Sequence, residues 1–201
     1  MNAIHFHRRN LPHIYKPFST YFITFRLKGS LPLTKLLLLR EKYEQLNPKT
    51  KDEKYENMKS FFFEYDELIH ENKRLNFLID KQVANIVKSS IHYYDGKKYN
   101  LFCFSVMPNH VHLIFHLPNE KENISDIMKG IKGFSAFQIN KLRNRKGRVW
   151  QDESYDHIIR DEDELFALID YTLMNPVKAG LVENWEEWEH SYLADSFRWE
   201  L

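Results

Sequence analysis

The sequence predicts an α+β fold: an antiparallel sheet with helices on one face, extended by a helical insertion and by a C-terminal helix that bears a tyrosine. Three observations predict it. Strand-type and helix-type segments follow one another as β-α-β-β-α-β and then a helix; turn or capping residues separate them; and one long, charged, helix-prone stretch interrupts the order after the first strand. With that stretch set aside, the order is that of a ferredoxin-like sandwich. The 201 residues, 43% of them hydrophobic, suffice for one sizeable core, so a single domain over 1–201 is expected, with the insertion at about 36–76.

Tyr21 to Leu27 is rich in aromatic and branched residues and is closed by Gly29, which reads as the first strand. The insertion follows, split in two by Asn47-Pro48. Between Glu41 and Asp80 it holds ten acidic and seven basic residues, so it reads as mostly solvated, packing through Phe61, Phe62, Phe63 and Tyr65 and carrying no catalytic signal. Asp80 is placed to cap a helix with Val83, Ile86, Val87 and Ile91 at helical spacing, ending near Asp95-Gly96. Tyr99 to Met107 and Val111 to Leu117 form two adjacent strands joined through Met107-Pro108-Asn109. Ser125 is expected to cap the next helix, whose apolar positions run from Ile127 through Leu142. A short strand, Tyr155 to Arg160, precedes a helix from about Asp161 to Asn175, where Pro176 is expected to set the boundary.

Composition excludes more than it assigns. No run of about 18 apolar residues exists and the N-terminus lacks the apolar core of a secretory signal, so no membrane is implied and the cytoplasm is expected. The single cysteine, Cys103, lies in an apolar stretch, which fits a core thiol and argues against a cysteine-based zinc site. Net charge is only +1, yet charge is segregated. Lys129, Lys132, Lys141, Arg143, Arg145, Lys146 and Arg148 lie between Ile127 and Gln151 with no Asp or Glu among them. Such a run is either a solvated basic face or a contact for a phosphate backbone, and Arg8 and Arg9, among His5, His7 and His13, can add to it. Lys132, Arg143, Arg145 and Arg148 are the candidates for DNA contact.

The most informative stretch is His110-Val111-His112 at the start of the third strand. Residues two apart on a strand share a face, so both imidazoles can meet one metal ion; the alternative is a pair of satisfied sheet histidines. Tyr171 and Asn175, four apart on the last helix, share a face within one turn; a core tyrosine and a helix-stopping asparagine are the alternative. His157 alternates with Tyr155 and Ile159 and is either structural or a flanking phosphate contact, while Asn109 is first a turn residue. Trp150, Tyr155 and Trp185 are either core aromatics or platforms for unpaired bases. The six glycines form no phosphate-cradling loop.

Five ordered segments resemble the REP-associated tyrosine transposases, a branch of the HUH single-strand transposases that use one tyrosine. They are Met107-Pro108-Asn109-His110-Val111-His112-Leu113, Ile131-Lys132-Gly133, Val149-Trp150-Gln151, Tyr155 through Arg160, and Tyr171 through Val182, and the resemblance covers roughly Phe18 to Leu193 in the same order. The helical insertion is the main departure. The resemblance implies His110 and His112 as the metal-binding histidine pair, Tyr171 as the nucleophile and Asn175 as a third metal ligand. It also implies a divalent ion, Mg or Mn, and cleavage and rejoining of single-stranded or hairpin-forming repeat DNA through a 5′-phosphotyrosine, by a monomer or a homodimer, with the monomer favoured. A DNA-binding protein of the same fold without turnover, and a phosphoesterase in which water replaces tyrosine, are the two competing functions.

Overall fold

The computed structural model describes residues 5–8 and 12–198, with side chains from Tyr15 onward. The basic N-terminal arm, with Arg8, Arg9, His5, His7 and His13, therefore lies outside the described side chains. Its backbone forms a hairpin of β1 (His5–Arg8) and β2 (Pro12–Tyr15), a separate two-stranded sheet. There follow β3 (Thr20–Arg26), α1 (Leu33–Glu44), α2 (Lys51–His70), α3 (Lys81–His92), β4 (Asn100–Val106), β5 (His110–His116), α4 (Ile124–Leu142), β6 (Tyr155–Ile159), α5 (Glu162–Lys178) and β7 (Ser191–Leu193).

The main sheet runs β6-β3-β5-β4-β7, with every neighbouring pair antiparallel. Without β7, this is the strand order of the ferredoxin-like motif, confirming the expected class. Alternation along the strands explains how one sheet serves two layers. Tyr21, Ile23 and Phe25 of β3 and Val111, Leu113 and Phe115 of β5 face α3 and α4 in one apolar core. Phe22 of β3 and Ile114 of β5 point the other way, into a second core built with Phe62, Tyr65 and Ile69 of α2 and Ile169 and Leu173 of α5. The insertion and the C-terminal helix thus cover the face that α3 and α4 leave open. In β4 a register shift between Leu101 and Cys103 turns Leu101 toward the first core and Cys103 toward the second.

Local chemistry sets most boundaries where expected. Asp80 caps α3 by accepting from the backbone of Gln82 and Val83, and Thr50 with Glu53 forms a capping box on α2. Two expectations need correction. Asn123, not Ser125, caps α4, its side chain accepting from Asp126 N at 2.8 Å. Pro176 lies inside α5 rather than ending it: a proline ring's φ suits a helix, and so near the C-terminus it removes one hydrogen bond only. Closure comes at Gly180, whose φ of +69° permits the bonds Gly180 N to Val177 O and Leu181 N to Pro176 O.

Candidate active site and metal centre

β5 is hydrogen-bonded on both sides, by β3 and β4, so its side chains are held by a fixed backbone. His110 and His112 are fully buried on the face toward α2 and α5, and their Nε2 atoms lie 3.0 Å apart. Their outer nitrogens are anchored. His110 Nδ1 meets Asn109 Oδ1 at 2.7 Å, and His112 Nδ1 meets Thr24 Oγ1, its register partner on β3, at 2.9 Å. Asn109 donates from its amide to the carbonyls of Ile69 (2.9 Å) and Asn72 (3.2 Å), so its oxygen is left to accept from the imidazole. That arrangement puts the proton of His110 on Nδ1 and its Nε2 lone pair inward, the orientation a metal requires. Phe22 stacks on His112 with ring centroids 5.5 Å apart. Burial holds both imidazoles well below their ordinary pKa, reinforced at His110 by His112 and at His112 by His70, so both are neutral.

The third member of the cluster comes from the insertion. Asp66 of α2 is buried, with Oδ1 3.7 Å from His110 Nε2 and 3.4 Å from His112 Nε2. One donor atom from each of Asp66, His110 and His112 lies within 4.8 Å of the others. Asp66 Oδ2 accepts a hydrogen bond from the Tyr171 hydroxyl, whereas Oδ1 has no hydrogen-bond partner. Desolvation pushes the Asp66 carboxyl up to about 7, with the Tyr171 hydrogen bond opposing. Tyr171 is itself pushed well above a free phenol, first by burial and then by the neighbouring Asp66 charge. Its ring is walled by Phe22, Phe62, Phe63 and His112 at centroid distances of 6.3, 5.6, 5.5 and 5.7 Å, with Lys178 Nζ 4.8 Å over it.

Two inward-facing imidazole lone pairs and an orphaned, buried carboxylate oxygen fit a small divalent cation, since a buried carboxylate oxygen without a donor is otherwise costly. The site opens on a cavity of about 1240 Å³ between α2 and α5, lined among others by Lys59, Phe63, Asp66, His157, Tyr171 and Lys178.

The other sequence candidates are distributed unevenly. Asn175 is buried, and its amide nitrogen turns back to Tyr171 O at 3.1 Å. His157 lines the same cavity, and its Nε2 lies 2.8 Å from Glu164 Oε1. The basic candidates belong elsewhere. Lys132 donates to Asp152 O (2.8 Å) and Ser154 Oγ (3.3 Å), and burial lowers its pKa to about 8. Arg143 pairs with Asp80, Arg148 pairs with Asp152, and the Arg145 guanidinium lies 5.3 Å from the Phe77 ring. Lys132 and Arg148 line a second hollow that does not include the histidine pair. Trp150 and Tyr155 are buried, with Trp150 Nε1 donating to Ser135 Oγ at 2.9 Å, so they serve the core.

Asp66 was missed by the sequence reading, which gave the insertion no catalytic signal. The sequence carries only a partial signal: Phe62, Tyr65, Asp66 and Ile69 stand at helical spacing and are the buried residues of α2, but the fold alone shows that this face meets the sheet.

Comparison with known proteins bears on this geometry. The family model describing IS200-like transposases matches residues 61–171, from α2 to Tyr171, more than half of the chain. The chain belongs to the IS200-like transposase family. The REP-associated tyrosine transposase of Escherichia coli is 28% identical over 95 residues, 47% of this chain and 54% of that protein. The Haemophilus influenzae protein assigned as a REP-associated tyrosine transposase is 30% identical over 95 residues, 43% of this chain and 54% of that protein. The chain thus spans about half the length of the curated relatives it matches. A solved REP-associated tyrosine transposase bound to a REP hairpin shares the fold at a TM-score of 0.59 and 18% identity, covering 89% of this chain and 79% of that one. No helix among the described residues is long and apolar enough to cross a membrane.

Proposed function

We propose that this chain cuts and rejoins single-stranded DNA beside hairpin-forming repeats, with Tyr171 as the nucleophile. The observation that carries the reading is the meeting, within one chain, of the Tyr171 phenol from α5 and the His110–His112 pair of β5, joined through Asp66. In the reaction Tyr171 Oη bonds to the scissile phosphorus as the P–O3′ bond breaks. One DNA end keeps a 3′-hydroxyl and the other is held as a 5′-phosphotyrosine. Reversal by an incoming 3′-hydroxyl rejoins a strand without a nucleotide cofactor.

The raised pKa of Tyr171 means that the phenol reacts only as its proton leaves; that proton passes to Asp66 Oδ2, against which it already rests, while the departing 3′-oxygen takes a proton from solvent in the open cavity. The aromatic wall of Phe22, Phe62 and Phe63 fixes the ring and excludes water from it. His110 and His112 would hold a divalent ion, Mg or Mn; such an ion would supply Lewis-acid polarisation of a non-bridging phosphate oxygen. His157 and Lys178 line the cavity, and this reading assigns them to the backbone phosphates of the strand. Because Tyr171 reaches the histidines of its own chain, the protein works as a monomer, which light scattering on the DNA-bound protein checks.

The test is incubation with labelled oligonucleotides carrying hairpin repeats, in Mg or Mn, followed by denaturing gels. The expected result is a protein–DNA adduct that vanishes in Tyr171→Phe while DNA binding stays within about threefold. Cleavage that survives Tyr171→Phe but not His112→Ala would instead assign the attack to water, and binding without cleavage in the wild type would leave a DNA-binding protein.

A further inference from the structure

We propose that the insertion helix completes the metal centre: Asp66 Oδ1, rather than the Asn175 amide, is the third protein ligand, and Asp66 Oδ2 tethers the nucleophile to it. This rests on the metal-dependent reading above and names the ligand set on which that reading depends.

Three observations carry it. First, Asp66 Oδ1 lies 3.7 and 3.4 Å from the two Nε2 atoms, which are themselves only 3.0 Å apart. A cation drawn into this triangle needs only small side-chain adjustments to reach bonds of about 2.0–2.2 Å. Second, Asp66 Oδ1 is buried and without a hydrogen-bond partner, which leaves its lone pairs free to meet a cation. Third, the Asn175 amide nitrogen is held by its own helix through the carbonyl of Tyr171, and among the described residues no hydrogen bond joins Asn175 to His110 or His112. The charge balance agrees: two neutral imidazoles and one carboxylate offset half of a divalent ion's charge, whereas an amide offsets none, and an oxygen anion suits Mg or Mn better than a carbonyl does.

The division of labour within one carboxylate has a consequence for alignment. With Oδ1 on the ion and Oδ2 on the phenol, the distance from nucleophile to metal is set by a single rigid group. α2 is then part of the reacting centre, and Asn175 is a positioning residue that holds the Tyr171 turn of α5.

Calorimetric titration of the full chain with Mn²⁺ tests this on four proteins: wild type, Asp66→Asn, Asn175→Ala and His112→Ala. The expected order is a loss of about 10–100-fold or more in affinity for Asp66→Asn and for His112→Ala, and a change under about threefold for Asn175→Ala. Retained affinity in Asp66→Asn together with loss in Asn175→Ala overturns the assignment. Absence of Mn²⁺ binding in the wild type sinks the metal-dependent reading itself and is thereby distinguished. If a variant unfolds, isotope-edited infrared difference spectra of wild type labelled with ¹³C-aspartate decide the matter: one equivalent of Mn²⁺ shifts a carboxylate band, and an unshifted spectrum refutes the ligand. The tether has its own readout, since at Mn²⁺ concentrations that saturate both proteins Asp66→Asn is expected to lower adduct formed per bound DNA at unchanged DNA affinity, and equal adduct yield refutes it.

Discussion

Replacing Glu164 by Gln tests how α2 is fastened to α5, the helix that carries Tyr171. Glu164 stands in the first turn of α5, where Tyr55 of α2 donates to Oε1, His157 Nε2 lies 2.8 Å from the same oxygen, and Arg160 N donates to Oε2 at 2.8 Å. Burial alone would raise this carboxyl, but the bonds from His157, Tyr55 and Arg160 outweigh it and bring the pKa down from the ordinary 4.5 to about 2. A lowering of that size corresponds to about 3 kcal/mol of preference for the charged form, at about 1.4 kcal/mol per tenfold. Because Glu164 borders a cleft open to solvent, screening reduces the expected contribution to about 1–2 kcal/mol. The sign follows from a folded pKa below the unfolded one: the stabilisation is fully present above about 4.5 and is lost as pH falls through about 2. Urea unfolding followed by tryptophan fluorescence should therefore show Glu164→Gln less stable by about 1–2 kcal/mol near neutral pH, with roughly three-fifths of the gap gone at about pH 3. A gap that is absent near neutrality, or constant across that range, refutes the reasoning.

Asn109→Ala removes the acceptor that orients His110 and both amide bonds to the end of α2, so Mn²⁺ affinity should fall about 10–100-fold and stability by about 1–3 kcal/mol, read by calorimetry and urea unfolding. Cys103 is fully buried and its thiol is pushed far above the ordinary range by desolvation, so a disulfide reagent at about pH 8 should leave it untouched in the folded protein and titrate it fully in denaturant; rapid native labelling would contradict its placement in the second core.

How legible this was depended on the range of the signal. The βαββαβ order could be read because Tyr21 to Leu27 and Val111 to Leu117 are rich in aromatic and branched residues and Asp80 marks a helix start, all local effects. The histidine pair could be read because a strand's period of two fixes which side chains share a face. Asp66 could not be ranked above the other acidic residues of the insertion without knowing which face of α2 meets the sheet. The basic residues between Ile127 and Gln151 were visible as a cluster, yet their partners Asp80 and Asp152 lie outside that run, so charge counting could not foresee that Arg143 and Arg148 are paired. β7 is three residues long, too short for any periodicity, and owes its existence to the free edge of β4.

The hydrogen bond between Asp66 and Tyr171 joins positions 105 apart in the chain. During synthesis the carboxylate leaves the ribosome well before the phenol, and contacts of such long sequence separation form late in folding. A nascent or half-collapsed chain therefore holds no assembled Asp66–Tyr171 pair, and the proposed nicking of DNA would arrive only with the finished molecule.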